Sequence, residues 1–236
     1  MPNEIRIKKF VKNEIYEQDD LIIKENRLDV FVNKEFYSSL MCLRQDLTEL
    51  SVGFLFSEGI INSYEDIKSL GFEGDERVFA VIENPYASKE KKHKEGVNKV
   101  TGSVKISPDE VVKMAESFNK QSELFLKTGA AHSCALVFQN GGNLFFEDIG
   151  RHNAVDKVIG KALIDGLNLD NGILLTSGRI FYEMITKAAR LGIPVLVSLA
   201  APTDMAVEAA REMNITLIGF AKNGRFNIYS GDDRII

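Results

Sequence analysis

The second half of the chain repeats one alternation: an apolar run of strand length, a polar turn, then an amphipathic run of helix length. "GILLTS" is followed by "FYEMITKAARLG", "PVLVSLA" by "DMAVEAAREM", and then comes "ITLIGFA". In the first helix Met184, Ile185 and Ala188 fall in register and Gly192 marks the stop. Upstream, "CALVF", the turn "QNGGN" and "LFFED" read as a hairpin. "VDKVIGKALIDG" then places Val155, Val158, Ile159, Ala162 and Leu163 on one helix face. Alternation of this kind predicts an α/β fold, with a mostly parallel sheet covered by helices and "FNIYS" as an edge strand.

The first part has a different texture. Residues 1–105 read as a smaller α+β unit and 106–236 as the α/β unit. "EIRIKKFV", "LDVFVN" and "ERVFAVIE" are strands, and "LTELSVGFLFSEGII" is a helix with Gly59 near its end. "NPYASKEKKHKEGVNKV" has no apolar period and reads as an exposed loop. "SPDEVVKMAESFNKQSELFLKTG" reads as one helix. Ser107 caps it, Pro108 suits its first turn, and Asp109 and Glu110 sit where the helix dipole favours acids.

Composition narrows the function. The 236 residues carry a formal charge of -5, so a global basic footprint for nucleic acid is absent. No run approaches the about 18 apolar residues of a membrane span, and the N-terminus lacks the apolar centre of a signal peptide. These features predict a cytoplasmic protein. Its two cysteines, Cys42 and Cys134, lie far apart, which argues against a zinc ribbon or a disulfide framework.

In an open α/β sheet, ligands bind beyond the carboxyl ends of the strands. Polar residues gather at those positions. "LLTSGR" brings Thr176, Ser177, Gly178 and Arg179; "LVSLAAPT" brings Ser198, Pro202 and Thr203; "GFAKNGR" brings Lys222, Asn223, Gly224 and Arg225. "FFEDIGRHN" adds a fourth turn. Each has a plainer reading: Ser177 and Thr203 as helix caps, Asn223-Gly224 as a hairpin turn, Asp148 with Arg151 as a surface ion pair. Their convergence on one rim favours an anionic, nucleotide-like ligand, although neither a Walker A nor a G-x-G-x-x-G pattern is present. His132 and His152 flank the hairpin, too few ligands for a zinc site, so no metal is expected. In "EDIGRHNAVDK", Asn153 is the candidate N-cap and Asp156 stands at the third helical position.

These motifs resemble, in order and over nearly the whole chain, the formate dehydrogenase accessory sulfurtransferases (FdhD/NarQ). "LTELSVGFLFSEGII", "TGAAHSCAL", "EDIGRHNAVDKVIG", "TSGRIFYEMITKAARLGIPVLVSLAAPTDMAVEAA" and "ITLIGFAKNGRFNIYS" carry the resemblance. It implies a cytidine-deaminase-like fold for residues 106–236. It implies binding of molybdopterin guanine dinucleotide, the molybdenum cofactor, and transfer of sulfur to it from a cysteine desulfurase on behalf of formate dehydrogenase. It also implies a homodimer. The family's cofactor segment maps onto Phe220, Ala221, Lys222, Asn223, Gly224 and Arg225. His132, Arg151, His152, Lys157, Ser177 and Arg179 complete the expected cofactor-binding set.

The chain departs from that family mildly at "TGAAH", where Ala130 stands for a glycine, and more consequentially at one other place. The loop before the "TGG-x-H" motif usually carries a cysteine that accepts sulfur as a persulfide, and "VNKVTGSVKISPDE" has none. No catalytic residue is therefore assigned. The alternative is a non-catalytic chaperone or regulatory protein that binds the cofactor or a nucleotide. Zinc deamination is a third reading, for which the chain lacks both H-x-E and P-C-x-x-C.

Overall fold

The computed structural model describes residues 2–83, 99–102, 104–139 and 141–236. The lysine-rich loop expected from Asn84 lies outside them, apart from Lys99 and Val100. The chain opens with a two-stranded antiparallel ribbon, β1 (Asn3–Val11) and β2 (Glu14–Ile22), whose residues are almost all exposed. Next come β3 (Asn26–Val32), β4 (Glu35–Cys42), helix α1 (Leu47–Ser57), β5 (Ile67–Glu73) and β6 (Arg77–Ile82). They form a four-stranded sheet of order β4-β3-β6-β5. Leu28, Val30, Val78 and Ala80 point from it into the core.

The remaining elements are α2 (Pro108–Gln121), α3 (Glu123–Thr128), β7 (His132–Phe138), β8 (Asn143–Asp148), α4 (Arg151–Ile164), β9 (Gly172–Thr176), α5 (Tyr182–Arg190), β10 (Val195–Ser198), α6 (Asp204–Glu212), β11 (Thr216–Lys222) and β12 (Arg225–Ser230). Six strands make a second sheet, of order β12-β11-β10-β9-β7-β8. Alternation sorts its side chains to two faces. Leu136, Leu174, Leu196 and Leu217 join α1, α4, α5 and α6 in the main core. Ala135, Ile173, Leu175, Val195, Val197 and Ile218 pack with Val111, Ala115 and Phe118 of α2 on the other face.

Helix α1 is buried all round, from Leu50 to Phe56, because it lies between the smaller sheet and α4. The two helices cross backbone to backbone. A methyl group on Gly53 would overlap the Asp156 carbonyl, and one on Gly160 the Glu49 carbonyl. One core thus runs through both sheets. The segment before residue 107 is tied to the chain's end: Val100 N donates to Met213 O, Arg234 Nε to Gly102 O, and Ile106 bridges Ile235.

The α/β alternation, the β7–β8 hairpin and the β12 edge agree with the sequence reading. The sheet itself is mixed. Only β9, β10 and β11 pair in parallel, and the β7–β9, β7–β8 and β11–β12 pairings are antiparallel. Short hairpin connections at β7–β8 and β11–β12 leave no room for a parallel crossover. The single helix expected over 107–129 is two helices, with Ser122 between them turned away to bond Ser133 and Glu147. Its start is as expected: Ser107 and Glu110 form a capping box behind Pro108. The N-cap of α4 is Gly150 rather than Asn153, which lies inside the helix, and Asp156 is one turn further in than expected.

Candidate functional site

The carboxyl ends of β9, β10 and β11 share one edge because these strands are parallel, with Thr176 level with Ser198. The loop after β9 is held there by short polar contacts. Gly178 N donates to Thr176 Oγ1 at 3.2 Å, and Ser198 Oγ donates to the Gly178 carbonyl at 2.7 Å. Ile180 N donates to Ala201 O in the next loop, and Thr203 N of that loop donates back to Ile180 O. Ser177 does not cap a helix: its Oγ accepts from Ser133 N at 3.0 Å and faces His132 Nδ1 at 3.3 Å. Thr203 does cap α6 through Ala206 N.

Arg151 opens α4 and crosses this loop over Gly178, where an added methyl would come within 3.0 Å of its Cβ. Its guanidinium lies over the Phe181 ring, 4.5 Å from the centroid, and the Arg179 guanidinium lies 5.4 Å from the same centroid. Cation–π attraction holds both in place. Among the described residues, no carboxylate pairs with Arg151, Arg179, Lys222 or Arg225, and none of these side chains donates a hydrogen bond. Arg151 Nε and His152 Nε2 are buried without a hydrogen-bond partner. His152 Nδ1 is 3.6 Å from Glu183 on α5. Burial, with Arg151 beside it, lowers the pKa of His132. Burial, then Lys187 and Arg151, lowers that of His152, against the pull of Glu183 and Asp156. Both shifts favour the neutral imidazole.

The turn at Phe220–Arg225 lies farther along this edge. Phe220, with φ +54, donates its N–H to Ala200 O, and Ala221 is buried. Asn223 and Gly224 have φ +56 and +71, the pattern of a two-residue hairpin turn. Lys222 and Arg225 flank it, exposed. The structure therefore gathers His132, Arg151, His152, Ser177 and Arg179 into one cluster and sets Phe220–Arg225 beside the neighbouring loop.

Lys157 stands apart from that cluster. Its side chain is fully buried, with Nζ 2.9 Å from the equally buried Asp148, 3.9 Å from Asp46 and 3.0 Å from the Glu147 carbonyl it donates to. Asp148 also accepts from Leu43 N, Gly150 N and Asn153 Nδ2, and Asn153 donates to Met41 O. Asp148 is thus no surface partner of Arg151. It belongs to a brace joining the end of β8, the start of α4 and the β4–α1 connection. A second buried pair, Asp156 with Lys187 at 2.7 Å, also takes Ser57 Oγ. Phe181, which organises the cluster, had no signal in the sequence beyond following a polar turn.

Both cysteines are buried. Burial, reinforced by Asp148, pushes the Cys42 thiol up to about 12. Burial and then Asp156 raise that of Cys134 further. Among the described residues no three His, Cys, Asp or Glu side chains meet in a metal-binding group, and no helix is long and apolar enough to cross a membrane.

Comparison with known proteins places these features in a family. The model of the FdhD/NarQ family matches residues 23–236. The chain is similar to "Sulfur carrier protein FdhD" of Wolinella succinogenes, 36% identical over 239 residues, covering 93% of this chain and 84% of that protein. It is 36% identical over 231 residues to "Protein FdhD" of Methanocaldococcus jannaschii, covering 98% and 97%. The crystal structure of a putative formate dehydrogenase accessory protein from Desulfotalea psychrophila matches with a TM-score of 0.87 at 26% identity, covering 100% of this chain and 99% of that one.

Proposed function

The chain belongs to the FdhD/NarQ family, and on that premise we propose that it is a formate dehydrogenase accessory protein that holds the molybdenum cofactor in its guanine-dinucleotide form. The observation that carries this reading is the rim of uncompensated cations. Arg151, Arg179, Lys222 and Arg225 lack carboxylate partners among the described residues of a chain whose net charge is -5. Unpaired guanidiniums gathered on one edge suit phosphate oxygens, which they grip as a planar fork. The orphaned Arg151 Nε and His152 Nε2 fit a ligand that brings acceptors.

In this reading Phe220, Ala221, Lys222, Asn223, Gly224 and Arg225 hold one part of the dinucleotide, and His132, Arg151, His152, Ser177 and Arg179 another. Lys157 acts only through the brace behind them. The bound cofactor would supply the metal centre that accepts sulfur. The chain's residues fix its phosphates and shield one side from water. We also read residues 106–236 as a cytidine-deaminase-like unit and 1–105 as its smaller partner. The mixed sheet, with a hairpin at one side and three parallel strands backed by helices, supports that reading.

Curated relatives are named sulfur carriers. A resident persulfide needs an accessible thiolate, and this chain has only two cysteines, both buried and poorly acidic. We therefore place its own contribution in holding the cofactor while a cysteine desulfurase supplies the sulfur. Two measurements test this. Protein purified from cells that make the cofactor, then denatured, should release a guanine nucleotide, and its absence sinks the cofactor reading. Intact mass after incubation with desulfurase and cysteine should stay unchanged. A gain of about 32 Da on Cys42 or Cys134 restores the sulfur-carrier role.

A further inference from the structure

The cluster around Phe181 has a property that the charge of the rim does not explain. It places a neutral imidazole against cations, with one ring nitrogen buried and unanswered. His152 Nδ1 faces Glu183 at 3.6 Å, while Nε2 is buried with no acceptor. A protonated imidazole carries two N–H donors, and a buried one without an acceptor is costly. The charged groups around the ring are Arg151 and Asp156 from α4 and Lys187 and Glu183 from α5. Asp156 is already engaged by Lys187 and Ser57. Without a ligand, a charge on His152 therefore adds to Arg151 and Lys187 and leaves an N–H unsatisfied.

His132 is placed differently. Ser177 Oγ accepts from Ser133 N, so its own O–H is available to donate to His132 Nδ1. That bond suits an unprotonated Nδ1 and holds this ring neutral.

We propose that Arg151, Arg179 and His152 form a seat for a dianionic tetrahedral oxyanion, such as a phosphate group, and that its arrival places a proton on His152. The inference rests on the reading of this edge as an anion site and deepens it at one point. The anion supplies what the protein lacks: an acceptor for His152 Nε2–H and for Arg151 Nε–H, and negative charge against two guanidiniums that share the Phe181 ring. The proton comes from solvent and moves to the ring; no bond in the ligand changes. Because the bound state raises the affinity of His152 for its proton, binding is strongest in acid and weakens as pH rises through the imidazole range.

Sulfate is the suitable probe, since its own charge is constant across that range. The chain holds three histidines, so imidazole Cε1–H signals in proton–carbon NMR are assigned with single variants. Saturating sulfate should raise the titration midpoint of His152 by about one unit. Sulfate affinity should fall roughly fivefold between pH 5.5 and 7.5. His152→Gln should still bind sulfate but without pH dependence, and Arg151→Gln should abolish the shift at His152. Sulfate that moves no imidazole, or pH dependence that survives His152→Gln, overturns the seat. A protein that releases a guanine nucleotide on denaturation yet shows no sulfate-linked shift keeps the proposed function and loses this inference.

Discussion

Lys157 shows how far a side chain's role depends on which way it points. From sequence, a lysine in a polar stretch reads as a solvent-facing cation available to a phosphate. In the fold it is the largest fully buried side chain, paired with Asp148. The sequence had no means of showing this, because Asp148 and Lys157 become partners only when β8 and α4 fold back on each other. Removing one partner leaves the other as an uncompensated buried charge. Lys157→Met should therefore cost about 3–5 kcal/mol in urea unfolding. The double variant Lys157→Met with Asp148→Asn should recover part of that loss. A single variant within 1 kcal/mol of the parent (a magnitude typical of surface substitutions, roughly) would show that the brace carries no load. The cysteines make a second residue-scale prediction. With the Cys42 thiol near 12, roughly one thiol in ten thousand is ionised at pH 8. Iodoacetamide should label neither cysteine in the native protein and both after unfolding, whereas rapid native labelling of Cys42 would expose it to sulfur chemistry.

At the scale of elements, what was legible followed from periodicity. The helices of the second half and the β7–β8 hairpin bury clean apolar faces, so their patterns survive in the sequence. The ribbon strand β2 and the mostly exposed strands β4 and β5 carry mixed polar and apolar residues with no clean alternation to mark them as strands. Strand direction was also hidden, because alternation of strands and helices does not reveal which neighbours are joined by hairpins. The rim was legible as a set of polar turns at strand ends, while the stacking of Arg151 and Arg179 on Phe181 was not, since it joins residues thirty apart in the chain through a ring with no polar signal. The contact of α1 with α4 offers the sharpest test at this scale. Gly53 and Gly160 stand where each helix meets the other's backbone, and a carbonyl cannot move aside as a flexible side chain can. Gly53→Ala should force the helices apart and destabilise by about 3 kcal/mol or more, in the range of severe overpacking. Gly71→Ala, in open space on β5, should change stability by no more than about 0.5 kcal/mol. Equal effects would mean that the crossing relaxes easily.

At the scale of the whole molecule, the β1–β2 ribbon is the part that the core does not explain. None of its residues joins either apolar cluster, and a lone two-stranded ribbon is marginal in water. Yet Ile5, Phe10, Val11, Ile15, Tyr16, Leu21 and Ile22 are all exposed on it, and Phe125 and Leu126 of neighbouring α3 are exposed too. One face carries Ile5, Ile7 and Val11 with Tyr16 and Ile22. On that face β1 bears Lys9 and β2 bears Glu14 and Asp20; Glu4, Arg6 and Lys8 lie on the opposite face with Glu17 and Asp19, where Arg6 already pairs with both of those acids. If two copies pack face to face about a two-fold axis along the strands, the basic strand of each lies over the acidic strand of the other. An axis across the strands would match like with like. A second copy seated on the ribbon in that way, with the ribbon as the seam, would be self-complementary. Deleting residues 2–22 should then convert a dimer to a monomer in light scattering coupled to gel filtration. The core should remain intact, with a melting temperature within about 4 °C of the parent, the shift expected for a loss of 1 kcal/mol in a chain of this length. A full-length protein that is monomeric at tens of micromolar (roughly the range where a weak interface fails) removes the seam. A truncated chain that stays dimeric moves the interface elsewhere, and one that fails to fold makes the ribbon part of the core's stability after all.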